Sequence, residues 1–165
     1  MGIDTVCFGG GCFWGVEAEF QQIEGVTSTK AGYCGGDFDK PTYRDICSGQ
    51  TGHAEVVEVK YDPSVVPIET LLDVFWNIHD PTTKDRQGPD IGNQYRSAIF
   101  CADDTQAQAA QKSKETLEKS GKLRSPVVTE IAKATVFHTA EAYHQRYMEK
   151  RGLAPNCHAP LLGQQ

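Results

Sequence analysis

Residues 3–20 read IDTVCFGGGCFWGVEAEF, and this stretch joins two different hydrophobic periods across three glycines. Residues 3–8 form a short run of the β type that ends at the glycines. After Cys12 the apolar residues recur at steps of three and four, which is one face of a helix. The apolar positions of that face are Phe13, Val16, Phe20 and Ile23. The sequence therefore predicts a strand, a tight turn and a helix, with a cysteine where the helix starts.

Hydrophobic periodicity along the chain predicts the fold. The first six predicted elements follow the order βαββαβ, which is the order of a ferredoxin-like sandwich. The strands of this core are predicted at 3–8, 25–33, 54–61 and 94–101, and its helices start at Cys12 and Pro67. The later elements are a helix with caps at 103–105 that ends at Ser120, a strand at 127–132 and a helix at 141–150. Residues 34–52 and 79–92 are predicted to be irregular loops.

The predicted fold class is therefore α+β. We expect a two-layer sandwich with a ferredoxin-like βαββαβ core plus C-terminal additions. No internal repeat or long linker divides the sequence, so residues 1–165 are expected to form a single domain. A loose tail rich in proline is expected from about residue 152.

The composition excludes several classes of protein. Of the 165 residues, 39% are hydrophobic and 23% are charged, which is typical of a globular domain. No apolar run approaches the roughly 18 residues of a membrane-spanning helix, and the first residues lack the pattern of a signal peptide. The net charge of −6 and the lack of a Lys/Arg cluster argue against nucleic acid as a partner. We expect a cytoplasmic monomer that binds neither membranes nor nucleic acid.

The six cysteines have three interpretations in a reducing compartment: apolar filler, metal ligands or redox chemistry. At Cys12, the predicted start of the helix places unpaired backbone N–H groups and the positive end of the helix dipole near the sulfur, which favours the thiolate. Phe13 and Trp14 point about 100° apart around the helix, so one can pack inward while the other covers the open face. From spacing alone, a buried cysteine in a glycine turn is an equally good interpretation.

Glu55 lies on the predicted core face of the strand AEVVEVKY. It shares its parity with Val57 and Val59. The charged residues Glu58 and Lys60 mark the opposite, solvent face. Because burial raises the pKa of a carboxyl group, Glu55 is predicted to stay protonated near neutral pH and to donate a proton. The alternative is a strand-end carboxylate whose side chain turns out to solvent.

Five sequence blocks in a fixed order extend over most of the chain. They are GCFWG (11–15), GYCGG (32–36), PTYRDICSGQTGHAE (41–55), HDPTTKDRQGPDIGNQYRSAIF (79–100) and AEAYHQRY (140–147). Together they closely resemble peptide methionine-S-sulfoxide reductase, the A-type methionine sulfoxide reductase.

The resemblance implies a role for each matching residue. Cys12 falls on the nucleophile of that family, and Phe13 and Trp14 fall on the residues that hold the S-methyl group of the substrate. Glu55, the glutamate of HAE, falls on the acid that protonates the sulfoxide oxygen. The positions that help to bind this oxygen are Tyr43 and Tyr95, and a water-mediated helper is Asp90.

The implied reaction is the thiol-dependent reduction of methionine S-sulfoxide, free or in proteins, to methionine, as a repair of oxidised proteins. A sulfoxide sulfur becomes a good target for a thiolate as its oxygen takes a proton, so a nucleophile and a neutral acid must face each other. The reaction leaves Cys12 as a sulfenic acid, which must condense with another thiol. No cofactor and no metal are expected.

The second thiol has two candidates. The resemblance favours Cys157 in the tail, and Cys34 is the rival, because the family commonly has a small residue without a thiol inside the GYxGG loop. Thioredoxin, as a dithiol donor, would then reduce the disulfide. The resemblance does not make Cys47 necessary for turnover, and Cys7 and Cys101 are interpreted as apolar filler in strands.

Two other classes of protein remain as alternatives. A structural zinc module would use the cysteines and histidines, but their spacing forms no CxxC knuckle. A cysteine hydrolase would pair Cys12 with His53 or His144 as its base. His53 shares the parity of Glu55, which places it beside the predicted site, although a structural role is the more common one for such a histidine.

Overall fold

The computed structural model describes residues 2–152 of the chain. Its strands are β1 Asp4–Gly9, β2 Val26–Cys34, β3 Ala54–Tyr61, β4 Arg86–Gln87, β5 Asp90–Ile91, β6 Ala98–Cys101, β7 Glu130–Lys133 and β8 His138–Thr139. Its helices are α1 Phe13–Gln21, α2 Tyr43–Cys47, α3 Ile68–Ile78, α4 Asp104–Lys119 and α5 Tyr147–Lys150. Two 3₁₀ turns are Asn93–Tyr95 and Ala142–His144. Within the described part of the chain, no helix is long and apolar enough to cross a bilayer.

The central sheet has six strands in the order β7-β6-β1-β3-β2-β8. In its middle, the strands β6, β1, β3 and β2 pair with one another antiparallel, and β3 lies between β1 and β2. This is the split βαβ arrangement of a ferredoxin-like core, so the predicted fold class is confirmed. The C-terminal additions extend both edges, because β7 pairs with β6 in parallel and β8 pairs with β2.

The main hydrophobic core packs α1, α3 and α4 against one face of this sheet. Phe8 of β1 is at its centre. Its ring stacks on Phe20 of α1 with centroids 4.7 Å apart, and the ring of Phe75 of α3 packs against it at a tilt with centroids 5.0 Å apart. Aromatic pairs of this kind stabilise a core beyond their buried area. This packing holds the start of α1 next to the C-terminal end of β1 and the N-terminal end of β3.

The opposite face of the sheet is curled around a second cluster of mostly small side chains. The cluster consists of Cys7, Cys34, Ala54, Val56, Ala98 and Phe100. A flat six-stranded sheet would hold its edges about 24 Å apart. Only residues 134–137 separate β7 from β8, and they span at most about 17 Å from Lys133 to His138. Because β7 and β8 are the opposite edges of the sheet, the sheet must roll up to bring them this close. The start of β3 near Val56 is buried on both faces, whereas Lys60 near its other end is exposed as predicted.

Both loop predictions are wrong in part. Residues 79–92 contain the short paired strands β4 and β5, and residues 34–52 contain the helix α2. A capping box starts it: the Thr42 hydroxyl accepts the Asp45 N–H at 3.2 Å, and the Asp45 carboxylate accepts the Thr42 N–H at 2.9 Å. This pair satisfies two backbone donors at the start of the helix. The motif TYRD carries this signal in the sequence.

Three further elements differ from their predicted ranges. The strand predicted at 127–132 is observed as Glu130–Lys133. The strand predicted at 94–101 starts only at Ala98, because a 3₁₀ turn precedes it. The helix predicted at 141–150 is broken by Arg146, whose φ of 53° is left-handed and ends the helical geometry. The predicted tail from about 152 lies almost wholly outside the described residues.

The loop that carries α2 is closed by a tight backbone contact, which gives a stability prediction. A Cβ atom at Gly36 would overlap the carbonyl oxygen of Thr51 and lie 2.5 Å from the backbone nitrogen of His53. Gly36→Ala is therefore expected to lower the free energy of unfolding by about 3 kcal/mol. Gly49→Ala is the comparison, because open space surrounds Gly49 and only its φ of 74° is strained, at a cost of about 1 kcal/mol. Denaturant unfolding that ranks the two variants equally would contradict this packing.

Candidate active site

Cys12 occupies the N-cap position of α1, immediately after a left-handed glycine. Gly11 has a φ of 94°, and Cys12 is extended, with φ −60° and ψ 124°. Its side chain makes no cap hydrogen bond and is partly exposed at the positive end of the nine-residue helix. The preceding glycines have a packing role, since a Cβ at Gly9 would lie 3.2 Å from the carbonyl oxygen of Glu55.

Glu55 is the second residue of β3, and its side chain reaches the start of α1. Its Oε1 accepts the backbone N–H of Phe13 at 3.3 Å, and its Oε2 is buried with no hydrogen-bond partner among the described residues. The side chain is 1% exposed. Burial, opposed by the Phe13 N–H and assisted by the charge of Asp90, raises the pKa of Glu55 to about 8. Glu55 is thus a neutral acid at pH 7, beside the residue that follows Cys12.

Two tyrosines and an aspartate complete the polar side of this site. Burial, and then the negative charge of Glu55, raise the pKa of Tyr43 in α2 well above its usual range. The same causes, followed by Asp90, raise the pKa of Tyr95 to about 12, and Cys12 also acts on Tyr95. These groups are therefore close enough for their charges to influence one another. Both phenols stay protonated near neutral pH and can donate hydrogen bonds.

An aromatic wall forms the apolar side of the site. Phe13 is buried, with its ring 5.7 Å from Tyr33 and 5.1 Å from His144. Trp14 is partly exposed and stacks on Tyr147 with centroids 3.7 Å apart and planes 6° apart. The sequence prediction that one aromatic packs inward and the other covers the open face agrees with this arrangement.

Comparison with known proteins assigns this arrangement to a family. The family profile described as peptide methionine sulfoxide reductase matches residues 4–164. The chain belongs to this family. The peptide methionine sulfoxide reductase MsrA of Methanosarcina mazei is 57% identical over 155 residues, which are 94% of this chain and 74% of that protein.

Solved structures agree with the assignment to the peptide methionine sulfoxide reductase family. Reduced Mxr1 from Saccharomyces cerevisiae superposes with a TM-score of 0.88 at 34% identity, covering 97% of this chain and 92% of that one. Mxr1 in complex with Trx2 superposes with a TM-score of 0.64 at 25% identity, covering 97% and 89%. Members of the family are oxidoreductases, and the sequence resemblance to the A-type enzyme is confirmed.

The segment after β8 supports the candidate site through polar side chains that had no predicted role. Glu141 accepts the Tyr33 hydroxyl and the Tyr43 N–H, both at 2.9 Å, and so holds the start of α2. Gln145 bonds to the backbone of Ala31 on β2, accepting the N–H and donating to the C=O at 2.8 Å each. The sequence signal that could have identified these residues is the set of polar side chains in AEAYHQRY (140–147), a block already matched to the family.

The histidines do not form the base of a cysteine hydrolase. His53 is buried, accepts the Gly36 N–H on Nδ1 at 3.0 Å and donates from Nε2 to the Phe38 carbonyl at 2.7 Å. His144 accepts the Trp14 indole N–H on Nδ1, so its neutral ring carries the hydrogen on Nε2. Neither ring has a nitrogen open to take a thiol proton. Among residues 2–152, no three His, Cys, Asp or Glu side chains are grouped to hold a zinc ion.

The remaining cysteines lie in different parts of the fold. Cys34 is 1% exposed and lies with Cys7 in the second cluster, whereas Phe13 packs in the main core. Cys47 is exposed at the end of α2, close enough to Tyr43 to help raise the pKa of that phenol. Cys101 is buried, as an apolar filler would be. Cys157 lies outside the described residues.

Proposed function

We propose that the protein reduces methionine S-sulfoxide, free or within proteins, to methionine. One observation carries the proposal: the buried, neutral carboxyl of Glu55 has its Oε2 unpartnered beside the start of the helix that bears Cys12. A neutral acid in that place can protonate a sulfoxide oxygen while the thiolate attacks the sulfur.

The reaction can be followed by atoms. The Cys12 thiolate attacks the sulfoxide sulfur and forms an S–S bond, while Glu55 gives its proton to the oxygen. The protonated oxygen then moves to the Cys12 sulfur as the S–O bond of the substrate and the new S–S bond break, so methionine leaves as a thioether and Cys12 becomes a sulfenic acid. Two electrons pass from the cysteine to the substrate sulfur, so no cofactor is required.

The other site residues orient the substrate in this proposal. Phe13 and Trp14 hold the S-methyl group between apolar rings. The hydroxyls of Tyr43 and Tyr95 donate to the sulfoxide oxygen as its charge grows, in the manner of an oxyanion hole. The Asp90 carboxylate, whose charge raises the pKa of Glu55, helps through a water molecule.

Regeneration of the thiolate requires a second thiol and a donor. In our proposal Cys157 condenses with the Cys12 sulfenic acid, which releases water and forms a disulfide. A dithiol donor of the thioredoxin class then reduces that disulfide, as the structural likeness to Mxr1 in its complex with Trx2 suggests. A reducing compartment such as the cytoplasm suits this cycle, in which oxidised proteins are repaired.

A single-turnover experiment tests the proposal. The reduced protein is mixed with one equivalent of methionine S-sulfoxide without a reductant, and separately with the R epimer. We expect one methionine per protein from the S epimer alone, and peptide mapping by mass spectrometry should find Cys12 oxidised. Release of methionine by a Cys12→Ser variant would refute the proposed chemistry.

The resolving cysteine gives a prediction of its own. Cys157→Ser is expected to release one methionine in a single turnover but to lose cycling with thioredoxin, because its sulfenic acid has no thiol with which to condense. Cys34→Ser is the control and should cycle normally, since Cys34 is buried in the second cluster. If Cys157→Ser cycles and Cys34→Ser does not, the resolving role belongs to Cys34.

A further inference from the structure

We propose that Tyr143 is a specificity-determining residue, which binds an apolar side chain next to the methionine sulfoxide when the substrate is a polypeptide. The inference rests on the proposed function, in which the S-methyl group lies against Phe13 and Trp14. It adds a substrate preference to that function. An oxidised methionine with apolar neighbours in an unfolded chain is a better substrate than one without them.

Tyr143 extends the aromatic wall of the site outwards. Its ring packs at a tilt on His144 with centroids 4.1 Å apart, and the ring of His144 is in turn 5.1 Å from that of Phe13. His144 and Phe13 are buried, whereas Tyr143 is 58% exposed. The wall therefore runs from a buried inner part at Phe13 to an outer ring that is open to solvent.

The backbone that carries this exposed ring is held on both sides. Before Tyr143, the carboxylate of Glu141 accepts the Tyr43 N–H at 2.9 Å. After it, the side chain of Gln145 bonds to the backbone of Ala31 in the sheet. A tyrosine presented from a fixed backbone loses little conformational freedom on binding, which is why tyrosine is a common contact residue at protein interfaces.

The shape of the substrate determines what can reach Tyr143. The S-methyl group is the far end of the methionine side chain, so the substrate backbone lies on the open side of Phe13 and Trp14. In a polypeptide the next Cα atom is only about 3.8 Å along, and its side chain can reach the outer end of the wall. Free methionine sulfoxide has no neighbouring side chain. Only a polypeptide therefore gains from a contact with Tyr143.

The chemistry of oxidised proteins favours an apolar neighbour. Methionine is among the residues that are most often fully buried. Its oxidation makes the side chain polar and disrupts the core around it, which exposes the apolar residues nearby in the chain. Such a residue removes apolar surface from water when it packs against an aromatic ring. Tyr143 therefore fits the neighbours of a methionine in a damaged, unfolded chain.

Steady-state kinetics with three S-sulfoxide substrates test this preference, with dithiothreitol as reductant. The substrates are free methionine sulfoxide and two end-blocked peptides in which it is flanked by leucines or by glycines. For the wild type we expect kcat/KM to be about fivefold higher with the leucine peptide than with the glycine peptide, mainly through KM. Tyr143→Ala should abolish this difference and leave the values for free methionine sulfoxide unchanged. The same preference in both proteins would overturn the proposal.

Two control variants separate a substrate contact from a role in packing. Tyr143→Phe keeps the ring and should keep the preference for leucine. Val65→Ala removes a side chain that is 52% exposed just beyond the end of β3 remote from Glu55, and it should change none of the three substrates. If Tyr143→Ala weakens the reduction of free methionine sulfoxide as much as that of the leucine peptide, the ring only supports the buried wall and the proposal is wrong.

A binding measurement separates this inference from the reaction. In a Cys12→Ser background, which removes the proposed nucleophile, the affinity for a labelled leucine peptide can be followed by fluorescence anisotropy. We expect Tyr143→Ala to raise Kd for this peptide about fivefold and to leave Kd for the glycine peptide unchanged. This result is expected even if the protein fails to reduce methionine sulfoxide. Equal affinities for the leucine peptide with and without Tyr143 would refute the contact.

Discussion

Glu55→Gln is expected to lower kcat for methionine S-sulfoxide by about 10²–10⁴-fold, which is the usual contribution of a positioned general acid. Glutamine keeps the shape of the side chain and can still meet the Phe13 N–H through its amide oxygen. It cannot give up a proton to the sulfoxide oxygen as a carboxyl group does. Single-turnover release of methionine measures the effect on the chemical step without the recycling of the thiol.

Glu58→Gln is the matched control for this result. Glu58 lies on the same strand, three residues along, and its partly buried side chain points to the opposite face of the sheet. The Glu58→Gln variant should therefore retain the wild-type rate. The wild-type rate should also decline as the pH rises past about 8, where Glu55 ionises, and this limb should be absent from Glu55→Gln. Similar rates for the Glu55 and Glu58 variants would contradict the role of the acid.

The parts of the site that the sequence predicted are those with a local signal. The change of period after the glycines placed Cys12 at the start of α1, and the parity of β3 placed Glu55 on the face of the main core. The family resemblance added Tyr43 and Tyr95, which the folded chain brings close to Glu55. Each of these placements follows from periodicity or from a matched motif.

The parts that the sequence did not predict depend on contacts between distant segments. Glu141 and His144 reach residues about a hundred positions away, and no local pattern shows such partners. The curl of the sheet depends on the short connection between β7 and β8, which periodicity treats as an ordinary loop. The break at Arg146 was not predicted because it depends on a tertiary contact. The buried side chain of Glu17 in α1 accepts the Arg146 N–H.

The acid of the proposed reaction should also be a source of instability in alkaline solution. The pKa of Glu55 rises from its ordinary value of 4.5 to about 8 in the folded protein, mainly because the side chain is buried. Between these two values the folded state binds a proton that the unfolded state releases, so the free energy of unfolding falls as the pH rises. Below about pH 4.5 both states are protonated and there is no penalty, and above about pH 8 the penalty is complete.

Glu55→Gln removes this penalty, because glutamine stays neutral at every pH. The difference between the two pKa values corresponds to at most roughly 5 kcal/mol, since one unit equals about 1.4 kcal/mol. We therefore expect the inactive variant to gain stability relative to the wild type between pH 5 and pH 9, as measured by denaturant unfolding of both proteins. Other ionisable groups are shared and cancel in the comparison. Parallel stability curves would mean that Glu55 is already ionised in the folded protein, and the proton for the sulfoxide oxygen would then have to come from another group.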